Sequence, residues 1–152
     1  MTSLQALLGI ELPIIQAPMA GVQGSALAIA VCNAGGLGSL PCAMLKVDAI
    51  RDEIAAITAR TSKPFNVNFF CHAPPKPDLQ REQRWRATLA RYYDELALDI
   101  NSIPAGPGRE PFSHEAANIL SEVKPAVVSF HFGLPPSDLL ARVRATGAKI
   151  FS

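Results

Sequence analysis

Short apolar runs of strand character alternate with longer runs of helical periodicity along this chain, with no hairpin signal between them. Strands that follow one another through helices must lie parallel, because only a crossover of a dozen or more residues returns the chain to the same edge. Strand signals fall at residues 13–18, where Ile14 and Ile15 sit between prolines, and at 37–40, 65–70, 126–130 and 149–152. A helix rich in small residues is predicted over 25–34, ended by Gly35-Gly36. Val47, Ile50, Ile54 and Ile57 recur at spacings of three and four and predict a helix over 47–60. Trp85, Leu89, Tyr92 and Leu96 form one stripe of a longer helix over 79–98. Arg81, Arg84, Arg86 and Arg91 lie largely off that stripe, as a charged solvent face does. Ser113 caps a further helix, with Glu115 and Ala116 in its first turn. A last helix runs over 136–146, opened by proline and closed by Gly147. Prolines make loops of 71–78 and 101–111.

Four βα units and a strand suit either an open doubly wound sheet or the first half of a closed barrel, which takes about 250 residues in full. The sequence ends on an apolar strand with no following helix to cover it, and a bare edge of that kind is avoided in natural sheets. The fold expected is therefore α/β, the N-terminal half of a (β/α)8 TIM barrel, with about four βα units plus a fifth strand. Residues 1–152 form one partial domain, and the expectation is of a fragment or truncated reading frame whose missing units lie C-terminal. The composition, 49% hydrophobic and 18% charged with a net charge of +1, supports one core and gives no reason to expect a nucleic-acid partner. No apolar run reaches membrane-spanning length, and residues 1–9 carry no secretion signal. Cys32, Cys42 and Cys71 are odd in number and fit no metal spacing. Free thiols in a reducing compartment are the reading, and a cytoplasmic location is expected.

Ligands of such barrels collect where the strands end. Pro18-Met19-Ala20-Gly21 follows the first strand with small residues and backbone N–H groups, which let a flat ring lie against the main chain; a plain strand-to-helix turn would look the same. Asn66 and Asn68 lie two apart and share one side of the third strand, the interior side, with Phe65, Val67 and Phe69 turned to the helices. Two buried amides need partners, either in an internal network or in a polar ligand above the strands. His131 ends the fourth strand between Phe130 and Phe132, placed to orient a ring or small anion or to be satisfied locally. His72 and His114 are weaker candidates, the latter at a helix start and exposed. The glycines of Gly35-Gly36-Leu37-Gly38 come after a helix and before a strand, the reverse of a dinucleotide fingerprint, so they make a tight connection and not a phosphate loop. No lysine or arginine adjoins Cys42 or Cys71 in sequence to activate it.

The segments 13–38, Pro64-Phe65-Asn66-Val67-Asn68-Phe69-Phe70 and Val127-Val128-Ser129-Phe130-His131-Phe132-Gly133 together resemble the nitronate monooxygenases, formerly 2-nitropropane dioxygenases, and the similarity runs from Leu4 to Ser152. The resemblance implies an FMN enzyme on a (β/α)8 barrel that oxidises alkyl nitronates such as propionate 3-nitronate with O2. It implies that Ala17, Pro18, Met19 and Ala20 contact the isoalloxazine ring through the backbone, that Asn68 hydrogen-bonds FMN, and that His131 lines the substrate pocket. No metal is implied. The family's catalytic histidine lies in a Glu-Ala-Gly-Gly-His type segment that nothing here matches, and the phosphate loops after the seventh and eighth strands are absent too. The catalytic residue is thus expected beyond Ser152, and the fragment alone is expected to be inactive. Two other readings accompany this one: a flavin-dependent enoyl reductase, which shares the opening pattern, and a non-catalytic half-barrel that pairs with itself as a homodimer.

Overall fold

The computed structural model describes residues 3–74, 76–102 and 108–152. Pro75 and residues 103–107, parts of the two expected proline loops, lie outside the described residues. The chain divides into two compact units, one of Met1–His72 with Arg109–Ser152 and one of Ala73–Gly108.

The first unit holds a sheet of four parallel strands, β1 (Gly38–Pro41), β2 (Phe65–Phe70), β3 (Val127–His131) and β4 (Lys149–Phe151), in the order β1-β2-β3-β4. Its helices are α1 (Leu4–Leu8), α2 (Ser25–Asn33), α3 (Val47–Arg60), α5 (His114–Val123) and α6 (Ser137–Ala145). Strand order equals chain order, so no connection reverses direction. Crossovers of one hand then lay every covering helix on one face of the sheet. The core shows this: Ala28, Ile29 and Cys32 of α2, Ile50, Ile54 and Ile57 of α3, Ala117 and Leu120 of α5, and Leu139 and Val143 of α6 join Leu40, Val67, Phe69, Val128 and Phe130 in one cluster. A doubly wound sheet would carry helices on both faces. The open four-strand sheet is that of a barrel in part.

The opposite face is covered differently. At its lower end Leu37, Val127 and Phe151 pack with Leu8 of α1 and with Ile10, two residues beyond it. Ser3 caps α1 by accepting from the Ala6 N–H at 3.2 Å, and Gly9 ends it with φ 71°. At five residues α1 is too short to show a periodicity, and it is the element that sequence patterning missed.

The strand expected over 13–18 is reduced to a single parallel bridge, Ile15 with Leu37. Gln16 N–H donates to Leu37 O, and Leu37 N–H donates to Ile14 O, each at 2.9 Å. Pro13 and Pro18 have no N–H to extend the ladder. The bridge still sets this segment beside β1, as the first of five parallel positions in chain order. The other expected elements stand within a few residues of their predicted bounds.

Gly35–Gly38 make the tight connection expected. Gly35 has φ 94°, and its N–H donates to Cys32 O. Gly38 faces α2 so closely that a Cβ there would stand 2.1 Å from Ala28 O and 2.7 Å from Cys32 Sγ. Backbone lies against backbone here, so nothing flexible can give way.

The second unit is built on α4 (Leu79–Glu95). Asp78 caps it by accepting from the Arg81 N–H at 2.9 Å, Arg86 pairs with Glu82 one turn earlier at 3.1 Å, and Arg86 also donates to Ile100 O. The helix ends three residues before its expected limit, and none of its residues is buried, the Trp85 stripe included. Among the described residues no helix is long and apolar enough to cross a membrane.

Replacing Gly38 with alanine should destabilise the chain by about 3 kcal/mol, the upper part of the range for overpacked cores. A urea unfolding midpoint unchanged in G38A would contradict the close approach of α2 to β1.

Candidate active site at the strand C-termini

Parallel register puts Ser39 beside Asn66, Asn68 beside Ser129, and Phe70 beside His131. Side chains that share register share a face. Ser39, Asn66, Asn68, Ser129 and His131 therefore all stand on the face that the covering helices leave free. Ser39, Asn66, Asn68 and Ser129 are the buried polar residues of this sheet.

They are joined into one seam. Asn66 Nδ2 donates to Ser39 Oγ at 3.0 Å and to Ser129 Oγ at 2.9 Å. Asn68 Nδ2, with two hydrogens, stands within reach of three acceptors: Ser129 Oγ at 2.9 Å, Ser129 O at 3.2 Å and His131 Nδ1 at 3.0 Å. Ser39 Oγ donates to Gln16 O at 2.7 Å, and Ser39 N–H donates to Gln16 Oε1 at 3.1 Å. Gln16 Nε2 reaches Gln23 Oε1 at 2.7 Å, and Gln23 Nε2 returns to Ser39 O at 2.8 Å. Two acceptors stay without a partner among the described residues, the buried Asn66 Oδ1 and Asn68 Oδ1. A desolvated, unpartnered amide oxygen costs about 1–3 kcal/mol.

The rim above the seam is aromatic. Phe70 meets His131 edge-on at 5.8 Å and 87°, and Phe132 at 4.9 Å and 88°. Phe132 is 69% exposed and sits at φ 65°, a left-handed conformation costly for a residue with a Cβ. Gly133 follows at φ 97°. The chain thus bends sharply at the end of β3 and leaves an aromatic ring in solvent beside an exposed histidine.

Of the expected site residues, Asn68 and His131 are brought into direct contact. Ala17, Pro18, Met19 and Ala20 lie in the exposed or half-buried turn after the Ile15 bridge, where Val22 N–H donates to Met19 O and Gly21 has φ 84°. The seam joins this turn to Asn68 through Gln16, Ser39, Asn66 and Ser129. Those four, apart from Asn66, were not singled out from sequence, nor was Gln23. Period two counted back from His131 reaches Ser129, and that signal was available. His114 is exposed, as expected, while His72 is half-buried with Nδ1 unpartnered.

The thiols are inert by environment. Burial pushes Cys42 far up, with the nearby Glu53 carboxylate adding to it, and pushes Cys71 up to about 11. Burial also raises Cys32, whose Sγ lies 3.3 Å from Pro64 O. All three cysteines are free, and the described residues hold no cluster suited to a metal.

The sequence model of the nitronate monooxygenase family matches residues 1–151. A nitronate monooxygenase from Paraburkholderia phytofirmans is 43% identical over 155 residues, covering 99% of this chain and 41% of that protein. One from Pseudomonas aeruginosa is 41% identical over 148 residues, covering 95% and 41%. Among solved structures, a nitroalkane oxidase from Streptomyces ansochromogenes superposes with a TM-score of 0.76 at 36% identity, over 95% of this chain and 41% of that one. The four-strand sheet corresponds to the N-terminal part of its TIM barrel. FabK from Thermotoga maritima gives 0.66 at 25% identity, over 99% of this chain and 36% of that one. The chain spans about two fifths of the length of the curated relatives it matches.

Two outcomes follow from the site's geometry. Ser129→Ala removes the hydroxyl that both asparagines share and should cost about 1–3 kcal/mol in urea unfolding; no loss would show that the seam is not formed. The raised thiols mean that the folded chain keeps protons which the unfolded chain releases above about pH 9. The thiols' share of the stability should therefore be level between about pH 6 and 8 and fall as pH rises from about 9 towards 11, and a triple Cys→Ala variant should flatten that fall. A fall of equal slope in the variant would assign it to other groups.

Proposed function

The chain belongs to the nitronate monooxygenase family, and on that premise we propose that it forms the flavin-ring side of an FMN-dependent oxidoreductase acting on alkyl nitronates. Its family is one of oxidoreductases acting on small molecules. In this reading residues 1–152 are a partial FMN-binding barrel domain, O2 is the oxidant, and compounds such as propionate 3-nitronate are the substrates. In this reading the catalytic histidine lies outside residues 1–152. The three free thiols, buried or half-buried, support a cytoplasmic setting.

The observation that carries the proposal is the unpartnered Asn68 Oδ1 at the strand C-termini. An isoalloxazine ring presents one ring N–H between two carbonyls, and an amide oxygen lacking a donor fits that N–H. FMN, when bound, supplies the electron-accepting ring. The chain's own residues do the rest. The turn at 17–20 offers backbone and small side chains to the flat ring, with Met19 44% exposed. Asn68 is held to β3 through Nδ2, which leaves Oδ1 for the ligand. Phe70 and Phe132 line the rim beside His131 and give the substrate side an aromatic edge.

Barrels of this kind hold phosphate at late loops, after the seventh and eighth strands. The ring, and not the phosphate, is therefore what this chain binds. Quenching of flavin fluorescence by the chain should give similar, weak affinities for FMN and riboflavin, and gel filtration should strip either one. FMN binding a hundredfold tighter than riboflavin, or stoichiometric flavin retained through the column, would contradict this assignment. Absence of any quenching at millimolar chain would sink the ring site itself.

A further inference from the structure

The seam holds more information about His131 than its position. Asn68 Nδ2 lies 3.2 Å from Ser129 O, and a backbone carbonyl only accepts. The carboxamide atom beside it must therefore be the NH2 group; the flipped amide would set two oxygens against each other. The same NH2 lies 3.0 Å from His131 Nδ1, so Nδ1 must be the bare, accepting nitrogen. A neutral imidazole with Nδ1 bare carries its proton on Nε2. Phe70 stands edge-on to the ring at 5.8 Å, with Phe132 tilted beside it at 6.4 Å. His131 is exposed, and Nε2 has no protein partner among the described residues.

We propose that Asn68 is a positioning residue that holds His131 as its Nε2–H tautomer, presenting a fixed N–H donor at the rim to an oxygen of the substrate anion. The ligand half of this inference rests on the nitronate reading; the tautomer half does not. Asn68 thus serves two directions at once. Its NH2 orders the histidine, and its oxygen is left for a flat ring. A histidine so held enters the site as a hydrogen-bond donor and not as a base, because the nitrogen able to take a proton is turned inward onto Asn68.

The test is 15N–1H correlation across the imidazole of the full chain at about pH 8.5, well above the ordinary imidazole range. The wild type should show Nδ1 as the bare nitrogen and Nε2 as the protonated one, with the second tautomer at least about tenfold rarer, as a net hydrogen bond of roughly 1.4 kcal/mol requires. Asn68→Asp replaces the donor by an acceptor and should move the proton to Nδ1. Asn68→Ala should let the two tautomers mix. Nδ1 protonated in the wild type, or a tautomer ratio indifferent to both variants, overturns the proposal. Because a buried carboxylate can unfold the chain, the wild type also gives a reading without mutation. A scalar coupling across the Asn68 Nδ2–H to His131 Nδ1 bond supports the contact, and a resolved Nδ1 without it refutes the contact. Adding propionate 3-nitronate should shift the Nε2–H resonance. No shift with the tautomer as stated would sink the nitronate reading and leave the positioning role standing.

Discussion

The Ser129 hydroxyl, which accepts from Asn66 and Asn68 at 2.9 Å each, ties the middle of the sheet to its neighbour and orders everything above it. Two amides on one strand could not be buried on an apolar face without acceptors in register. Ser39 on one side and Ser129 on the other supply them. The Asn66 amide reaches both neighbouring strands, and the Asn68 amide reaches the end of β3. His131 and the 17–20 turn are then placed by the same chain of bonds, through Nδ1 at one end and through Gln16 and Gln23 at the other. Ser39, Asn66, Asn68 and Ser129 are neutral hydroxyls and amides, so burying them costs no charge burial.

That face is free for chemistry because α2, α3, α5 and α6 all pack on the other one. Sequential strand order with crossovers of one hand leaves the second face without crossover helices, and the chain fills it in two ways. Leu8 of α1 and Ile10, two residues beyond it, close its lower end against Leu37, Val127 and Phe151. Polar residues occupy the upper end. The division into an apolar floor and a polar mouth is what makes the strand C-termini the site. On the helical face Gly38 brings α2 against β1, and Cys32, buried beside it, fills space and not a catalytic role.

Much of this was legible in the sequence, and the exceptions have physical causes. The period-two spacing of Asn66 and Asn68 fixed their common side, and the flanking phenylalanines fixed the other. Val47, Ile50, Ile54 and Ile57 mark α3 from Val47 to Arg60, as the structure has it. The 13–18 segment carries the apolar composition of a strand, but its prolines cannot donate, and only one bridge survives. The serines escaped notice because their importance lies in register: nothing in a sequence says that residue 39 will stand opposite 66, or 129 opposite 68. Gln16 and Gln23 are likewise meaningful only once the turn between them is closed on Ser39. The left-handed Phe132 has no sequence mark except the glycine after it.

The claim on which the rest depends is that ligand binds the polar mouth and not the apolar floor. Mapping amide chemical shifts of the 15N-labelled chain during titration with FMN tests it directly. Perturbations confined to the 17–22 turn, to residues 68–72 and to 131–133 are the expected result. Perturbations centred on Gly9, Ile10, Lys63 and Lys124, at the opposite ends of the strands, would place the ligand on the floor and contradict the account.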